Sequence, residues 1–212
     1  MVTAIVLAAG TSSRMGQLKQ LLDYHGRPLL HHVVDNLCRS GVDKIVVVIG
    51  HRQSEVAAVL EGLPVQIVIN PDYASGQSSS IKAGLKALAA PGFDAVSGTG
   101  RQGVLFVLGD QPLLKPETIN LLTEYFLRHG GIAAPYYRGV RGNPVLFDLS
   151  FWAEFDSLQG DTGAREIIAR HPEALHKIEV TDPGIFFDVD TPEDLESLRN
   201  SRIAFEGGPQ DV

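Results

Sequence analysis

The sequence LAAGTSSRMGQLK, residues 7–19, follows an apolar run at residues 4–7 and precedes a helical pattern that Pro28 opens. A predicted strand therefore leads into a loop rich in glycine and hydroxyl side chains: Gly10, Thr11, Ser12, Ser13 and Gly16. Glycine lets backbone N–H groups approach a bound anion, the hydroxyls add donors, and Arg14 and Lys19 add positive charge. The pattern favours a phosphate-binding loop, with an ordinary connection carrying solvated basic residues as the alternative.

This loop matches neither of the two best-known glycine-rich phosphate loops. Residues 7–19 contain no GxGxxG and no GxxxxGK[ST], so a Rossmann dehydrogenase and a P-loop NTPase both lose support. The chain also lacks the GxSxG motif that would favour a hydrolase with a Ser-His-Asp triad.

The composition is that of an ordinary globular protein. The chain has 212 residues, 44% hydrophobic and 20% charged, with a formal charge of −7 from 18 basic and 25 acidic residues. Such a length suits one α/β domain, predicted over residues 1–202, with a disordered tail at 203–212. The acidic balance without a basic run makes nucleic acid and anionic membranes poor partners. An acidic protein that binds a triphosphate must concentrate positive charge locally and recruit a divalent metal.

Cysteine and histidine usage excludes two kinds of site. The one cysteine, Cys38, lies in a helical pattern and is predicted to be a small buried hydrophobe, so no disulfide framework or Cys-rich metal site exists. The seven histidines are scattered without metal-ligand spacing, which makes a zinc site improbable. The first residues lack the features of a signal peptide and no apolar run reaches transmembrane length, so we expect a cytoplasmic protein.

Short apolar runs alternate with helical patterns along the chain, which predicts a three-layer α/β/α, Rossmann-like fold with a mostly parallel sheet. Strands are predicted at residues 4–7, 44–49, 65–69, 104–110, 132–134, 145–147 and 185–189. Helices are predicted at residues 28–39, 54–60, 77–88, 115–129, 150–158, 162–170 and 192–198. Residues 90–103 have four glycines and no periodicity, and are interpreted as a mobile surface loop.

Three aspartates are the candidate metal ligands. Asp110 follows a buried strand in GDQP, where ligands bind in open α/β sheets, and its carboxylate suits Mg²⁺; a turn Asp before Pro112 is the alternative. Asp188 and Asp190 flank Val189, and alternation along a strand would place both on one face. Asp190 or Thr191 could instead cap the helix that begins at Pro192.

Other polar groups have structural alternatives of the same kind. Ser78, Ser79 and Ser80 begin a helical run and could cap it, bind a ligand, or both. Lys19 could pair with Asp23 at i+4 on a helix surface. Asp161 and Thr162 could cap the following helix, while Arg165 could meet a phosphate or simply Asp161.

Five motifs, spread over nearly the whole chain, resemble those of one family and occur in the order that the family has them. They are LAAGTSSRMGQLKQLL (7–22), GDQP (109–112), RGNPVLF (141–147), GDTGAR (160–165) and DVDTPEDL (188–195). The resemblance is to the molybdenum cofactor cytidylyltransferases, within the broad superfamily of nucleotide-diphospho-sugar transferases.

The resemblance implies a Mg²⁺-dependent transfer of CMP from CTP to the terminal phosphate of molybdopterin, with release of pyrophosphate. It implies Arg14, Lys19 and Asp110 as catalytic residues, and Asp110 and Asp190 as metal ligands with Asp188 as second choice. The implied nucleotide-binding residues are Leu7, Ala8, Ala9, Gly10, Thr11, Ser12, Ser13, Arg14, Lys19, Ser78, Ser79, Ser80 and Asp110. The implied acceptor-binding residues are Gln111, Asn143, Pro144, Asp161 and Arg165.

Several related functions stay open. LAAG is the cytidylyl form of the loop, whereas the guanylyl branch has a second glycine at the place of Ala9. Some cytidylyltransferases have histidine where this chain has Asn143, so a sugar-phosphate acceptor is a further alternative. A carrier that delivers finished cofactor to a recipient molybdoenzyme, without chemistry, is the alternative from another class.

Overall fold

The computed structural model of the chain describes residues 1–12, 15–89 and 100–200. The predictions made for Ser13, Arg14, residues 90–99 and the tail from residue 201 lie outside these ranges.

Six of the seven predicted strands and all seven predicted helices occur among the described residues, together with four strands that the sequence did not predict. In chain order they are β1 (Val2–Ala8), β2 (Asp23–Tyr24), β3 (Arg27–Pro28), α1 (Leu29–Cys38), β4 (Lys44–Ile49), α2 (Gln53–Ala58), β5 (Gln66–Ile69), α3 (Gln77–Leu88), β6 (Gly103–Leu108), α4 (Pro116–His129), β7 (Ile132–Tyr137), β8 (Val140–Arg141), β9 (Val145–Asp148), α5 (Trp152–Ser157), α6 (Arg165–Arg170), β10 (Leu175–Glu179) and α7 (Pro192–Asn200).

The main sheet has the strand order β10-β7-β9-β6-β1-β4-β5, with β8 paired to β7 at the side. Strand β1 pairs in parallel with β4 and β6, β4 with β5, and β7 with β10. Strand β9 is antiparallel to both β6 and β7, so it alone opposes the other strands in this order. The predicted fold class, a mostly parallel sheet, is confirmed.

Alternating side chains of β1 face two different cores. Val2, Ala4 and Val6 pack in a cluster with α1, α2 and α4, whereas Ile5 packs in a cluster with α3, α5 and α6. Because successive residues of a strand point to opposite faces, this alternation places helices on both sides of the sheet. The molecule is therefore a three-layer α/β/α structure.

A third, smaller core attaches the last helix beside the N-terminal loop. It contains Met15, Leu22, Tyr24, Leu29, Leu113, Val189, Leu195 and Leu198. These residues come from the loop after β1, from β2 and α1, from the segment after β6 and from α7. Burial of this cluster holds the segments of Lys19, Asp110 and Asp190 next to one another.

The predicted strand at 185–189 is wrong. Residues Pro183–Phe186 form a 3-10 turn that the Asp182 side chain caps by accepting from the Gly184 N–H at 2.9 Å. The last strand is instead β10, which pairs with β7 at the sheet edge. Its sequence LHKIE is half polar and its side chains are intermediate or exposed, so it lacks the apolar run that marked the buried strands.

Cys38 is exposed, which corrects its assignment as a buried hydrophobe. It is the last residue of α1, whose apolar stripe of Leu30, Val33, Val34 and Leu37 already covers the sheet. Two helix starts also differ from the prediction: α6 begins at Arg165, and a 3-10 turn at Leu149–Phe151 precedes α5.

Candidate active site

The carboxyl ends of β1 and β6 lie side by side, with Leu7 opposite Leu108 in the parallel pairing. The Gly109 N–H extends this pairing by donating to the Leu7 carbonyl at 3.1 Å. A Cβ at Gly109 would lie 3.0 Å from the Ala8 Cβ and 3.1 Å from the Leu7 oxygen. This close approach of backbones brings the N-terminal loop and the GDQP segment to the same edge of the sheet.

Lys19 joins two aspartates that are distant in sequence. Its ammonium contacts Asp110 Oδ2 in a very short ion pair and Asp190 Oδ1 at 2.8 Å. The Lys19 side chain is 17% exposed, so these contacts are largely shielded from water. Burial lowers the pKa of Lys19, but the charges and hydrogen bonds of Asp110 and Asp190 outweigh it and raise the pKa overall. Lys19 is therefore a stable cation and does not form the predicted alternative pair with Asp23.

The loop after β1 presents Lys19 because two polar side chains fold it back. Ser12 Oγ accepts from the Lys19 N–H at 3.2 Å, and Gln20 Nε2 donates to the Ala8 carbonyl at 3.2 Å. Lys19 itself begins a 3-10 turn, Lys19–Leu21. Ser12 thus acts in this structure by shaping the loop.

The start of α7 settles which residue caps it. Thr191 Oγ1 accepts from the Asp194 N–H at 3.2 Å, while Asp194 Oδ2 accepts from the backbone N–H groups of Asp190 at 3.0 Å and Thr191 at 2.8 Å. This reciprocal arrangement resembles a capping box. Because Thr191 and Asp194 cap the helix, the Asp190 carboxylate is directed to Lys19.

Asp188 lies in the same region, although the strand argument that paired it with Asp190 was wrong. Gln111 Nε2 donates to its carboxylate. Burial raises the pKa of Asp188, and the negative charge of Asp110 raises it further. A third, half-buried carboxyl group therefore lies close enough to Asp110 for the two to interact electrostatically.

Two adjacent cavities open at this edge. The first, which we call the loop cavity, has a volume of about 540 Å³ and is lined by the N-terminal loop together with Lys19, Asp110 and Asp190. The second, the α6 cavity, has a volume of about 410 Å³. The two cavities share five wall residues: Leu7, Gln77, Leu108, Asp161 and Asp188. Groups bound in the two cavities would therefore meet at the ends of β1 and β6.

Most of the predicted nucleotide residues within the described ranges line the loop cavity: Leu7, Ala9, Gly10, Thr11, Lys19, Ser80 and Asp110. Ala8, Ser12, Ser78 and Ser79 are not among its lining residues. Ser78 donates its N–H to Gly160 O at 3.1 Å, and Ser79 Oγ donates to Gly76 O at 2.8 Å. These two serines therefore fix the start of α3.

Four of the five predicted acceptor residues line the α6 cavity: Gln111, Asn143, Asp161 and Arg165. Pro144 does not, and its peptide bond to Asn143 is cis. The N-cap of α6 is Ala164, so neither Asp161 nor Thr162 caps this helix. No ion pair joins Arg165 to Asp161 within the ranges that the structure describes.

Two of the polar lining residues that were not assigned to the site from the sequence are Arg141 and Gln77. Arg141 lines the α6 cavity and is the first residue of the RGNPVLF motif, which was the available signal. Gln77 lines both cavities and directly follows the turn at Gly76. Gly76 has φ +99°, and a Cβ there would lie 2.3 Å from the Gly160 carbonyl carbon. This contact closes the loop 159–163 against α3 and brings Asp161 to both cavities.

Comparison with known proteins identifies the family of this fold and site. The family model described as the MobA-like NTP transferase domain matches residues 4–175. The chain belongs to this family. It is a nucleotidyltransferase.

Two curated relatives span almost the whole transferase. Nicotine blue oxidoreductase of Paenarthrobacter nicotinovorans is 32% identical over 207 residues, covering 93% of this chain and 96% of its own. Molybdenum cofactor cytidylyltransferase of Escherichia coli K12 is 28% identical over 196 residues, covering 92% and 93%. The names show that relatives of this transferase carry different activities.

Solved structures of Rv0371c from Mycobacterium tuberculosis H37Rv have the same fold as this transferase. One has a TM-score of 0.79 at 29% identity, covering 94% of this chain and 98% of the other. Another, with a TM-score of 0.77 at 26% identity and the same coverage, is a complex with manganese.

The donor set of this transferase fits a divalent cation that also binds substrate. Within residues 1–12, 15–89 and 100–200, no group of three or more His, Cys, Asp or Glu side chains could hold a metal ion alone. Asp110 and Asp190 nevertheless converge on one cation, the Lys19 ammonium. Mg²⁺ is commonly bound by one or two carboxylates plus substrate phosphates, so these two aspartates are suitable as the ligands that the protein contributes.

None of the helices in the described part of this transferase is long and apolar enough to cross a membrane.

Proposed function

We propose that the protein transfers CMP from CTP to the terminal phosphate of a molybdopterin-type acceptor, in a Mg²⁺-dependent reaction that releases pyrophosphate. One observation carries the proposal: Lys19, Asp110 and Asp190 converge in the wall of the loop cavity, beside a second cavity that shares five of its residues. A nucleotide in the first cavity and an acceptor in the second would present their phosphates to each other.

The reaction is a displacement at phosphorus. A terminal phosphate oxygen of the acceptor attacks the α-phosphorus of CTP, and the bond from this phosphorus to the oxygen that bridges to the β-phosphate breaks. The bonding electrons leave with pyrophosphate, and no covalent intermediate with the enzyme is needed. Catalysis of this kind rests on positioning and on electrostatic stabilisation of the transferring group.

The chain's own residues divide these tasks. Asp110 and Asp190 would hold Mg²⁺, which when bound supplies positive charge to the phosphate oxygens. The Lys19 ammonium, a stable cation in the same wall, would offset the charge that grows on the departing pyrophosphate. Gly10 and Thr11 would supply backbone and hydroxyl donors to the phosphates, and Arg14, assigned from the sequence alone, would add a second positive charge.

The α6 cavity has the chemistry for an anionic acceptor with a flat or branched polar body. Arg141 and Arg165 line it and supply guanidinium groups that suit a phosphate. Asn143 and Gln111 add amide groups, while Phe106, Ile168 and Ile185 supply apolar surface. This combination of cationic, amide and apolar groups supports the assignment of the α6 cavity to the acceptor.

Three other activities compete with cytidylyl transfer to molybdopterin. Guanylyl transfer to the same cofactor and nucleotidyl transfer to a sugar phosphate use the same phosphate chemistry, and Ala9 is the residue that favours CTP over GTP. A carrier without chemistry would deliver the finished cofactor to a recipient molybdoenzyme. The Lys19, Asp110 and Asp190 arrangement favours a transferase over this carrier, because a carrier needs no such cluster.

The name of the 32% identical relative suggests an oxidoreductase as a fourth competitor. In this chain, two aspartates surround one lysine in a cavity wall. This arrangement suits a metal-bound triphosphate. We therefore place nucleotidyl transfer first.

Equilibrium binding of CTP, GTP, ATP and UTP, each with and without Mg²⁺, tests the proposal. We expect tight binding of CTP that requires Mg²⁺, followed by release of pyrophosphate on addition of molybdopterin. Preference for GTP would assign the guanylyl activity and discredit the Ala9 argument. Absence of binding for all four nucleotides would overturn the proposed transfer of CMP.

A further inference from the structure

Lys19 lies where a metal ion would be expected to contact the protein. Its ammonium contacts one oxygen of Asp110 and one of Asp190, and these are the two carboxylates assigned to the metal. The side chains of Lys19 and Asp110 are 17% and 12% exposed, whereas that of Asp190 is 33% exposed, so the contact with Asp110 is the better shielded of the two. Without a bound metal ion, the positive charge between the two aspartates is therefore the ammonium group of Lys19.

An ammonium and a divalent cation cannot both hold these oxygens at contact distance. Two positive charges a few ångström apart repel each other strongly in a partly dehydrated site. A cation that binds these same two oxygens must therefore displace Lys19. The displaced ammonium needs a new anionic partner, because a shielded charge without a partner is costly.

A bound triphosphate would supply that partner. Lys19 lines the same cavity wall as Gly10 and Thr11, the residues assigned to the phosphates. Rotation about the bonds of its long side chain would bring the ammonium from the aspartates to such phosphates.

We propose that Lys19 is an internal counter-cation of the metal site. It makes the divalent metal bind weakly in the absence of nucleotide, and it makes metal and nucleotide bind cooperatively. The inference rests on the proposed function, because it takes Asp110 and Asp190 as the metal ligands and a nucleotide as the ligand of the loop cavity. Lys19 is in this respect a positioning residue, in addition to its contact with the phosphates.

Cooperativity follows from thermodynamic reciprocity. If nucleotide draws Lys19 away and so increases the affinity for metal, metal increases the affinity for nucleotide by the same factor. Such couplings are typically about 5- to 150-fold. The arrangement prevents a metal ion from filling the site before the substrate that uses it has arrived.

The test is a titration of the full-length protein with Mn²⁺ in the absence of nucleotide. The electron paramagnetic resonance signal of free Mn²⁺ measures how much of the metal is bound. The variants Lys19→Met and Lys19→Gln remove the ammonium and leave both carboxylates. Lys86→Met is the matched control, because Lys86 is exposed in the last turn of α3 and its loss changes the net charge equally. We expect Lys19→Met to bind Mn²⁺ at least about tenfold more tightly than wild type and than Lys86→Met.

The double variant Lys19→Met with Asp190→Asn shows whether the increase in Mn²⁺ affinity arises between the two aspartates. We expect this double variant to lose the increase in Mn²⁺ affinity that Lys19→Met shows. Equal Mn²⁺ affinity of wild type, Lys19→Met and Lys19→Gln would overturn the inference, and so would a gain that survives Asp190→Asn. Circular dichroism identifies a variant that fails to fold, and the remaining Lys19 variant then decides.

Failure of the proposed function has a different signature. If wild type binds no CTP with or without metal, the transferase proposal falls whatever the Lys19 variants do. If wild type binds CTP and Mn²⁺ together but its affinity for Mn²⁺ alone equals that of both Lys19 variants, the transferase stands and only the counter-cation is wrong.

Discussion

Asp110 is the residue on which most of the site's geometry depends. It lies two residues after the end of β6, contacts the Lys19 ammonium and contributes to the raised pKa of Asp188. Its backbone carbonyl also accepts the Val189 N–H at 3.1 Å, which holds the segment before α7. A change confined to its side chain should therefore alter the chemistry while leaving the backbone contact in place.

Replacement of Asp110 tests its assignment as a metal ligand. We expect Asp110→Asn to lower kcat for nucleotidyl transfer by a factor of about 10²–10³, the range found when one oriented electrostatic contact is removed. Steady-state kinetics with circular dichroism of the folded variant would measure this. Asp156→Asn, an exposed change on α5, serves as the control. Turnover of Asp110→Asn equal to that of the control would contradict the metal assignment.

His32 predicts a pH dependence of stability. Burial lowers its pKa, while the hydrogen bond from Nε2 to the Tyr24 carbonyl and the charge of Asp35 raise it, and Arg27 and His25 lower it. Because the pKa of His32 is lower in the folded than in the unfolded chain, the unfolded chain binds more protons at pH values around these two pKa values. Stability is then fully present above the ordinary pKa of about 6.5 and is lost as pH falls toward the lowered value.

We therefore expect the free energy of unfolding to decrease between pH 7.5 and pH 5.5 by more in wild type than in His32→Gln. Denaturant titrations at the two pH values would measure both differences. His129→Gln, at an exposed position near the end of α4, should keep the wild-type pH dependence. An equal decrease in wild type and His32→Gln would show that another group is responsible.

At the scale of elements, helix α7 is placed by its cap as much as by its core residues. Thr191 and Asp194 bind each other and the backbone at its start, so the helix begins at a defined residue and Asp190 precedes it with its carboxylate toward Lys19. The cap thus links local helix stability to the geometry of the proposed metal site.

Loss of the cap should therefore affect both stability and activity. We expect Asp194→Ala to lower the free energy of unfolding by about 1 kcal/mol, as is typical of a lost helix cap, and to raise the Mg²⁺ concentration needed for half-maximal activity. Glu196→Ala, an exposed change on the same helix, should leave the Mg²⁺ requirement unaltered. If Asp194→Ala is destabilised but its Mg²⁺ requirement is normal, the cap does not determine the geometry of the site.

The sequence predicted elements best where burial was complete. Strand β4, KIVVVI, is apolar and buried from Ile45 to Ile49 and was placed at its correct bounds. Strand β10 lies at the sheet edge with polar side chains, so its position depends on pairing with β7, which local patterns do not encode. Asp190 was chosen by resemblance, but its contact with Lys19 spans 171 residues and only the folded sheet brings the two together.

At the scale of the whole molecule, we propose that residues 1–202 form one folding unit. The three buried clusters share elements: the β1 strand contributes to the first two, and α1 contributes to the first and third. A disturbance in any cluster should consequently reach the others.

Leu198 and the single tryptophan, Trp152, allow a test of whether the chain unfolds as one unit. Leu198 is fully buried in the third cluster, whereas Trp152 packs against the second. We expect Leu198→Ala to cost about 2–5 kcal/mol and to shift the unfolding midpoint of Trp152 fluorescence together with that of circular dichroism. Leu121→Ala, at a 48% exposed position, should shift neither by much. Separate midpoints for the two signals would indicate two units.

The contact between Gly76 and Gly160 has a consequence for attempts to redesign the enzyme. This contact fixes Asp161 in the wall of both cavities. If the two cavities hold nucleotide and acceptor as proposed, randomising residues 159–163 to change acceptor choice would disturb the nucleotide as well. Of the two cavities, Arg141 and Asn143 line only the α6 cavity, and they belong to a different segment. Under the same proposal, libraries at Arg141 and Asn143 offer the route by which a new acceptor could be selected while nucleotide binding is retained.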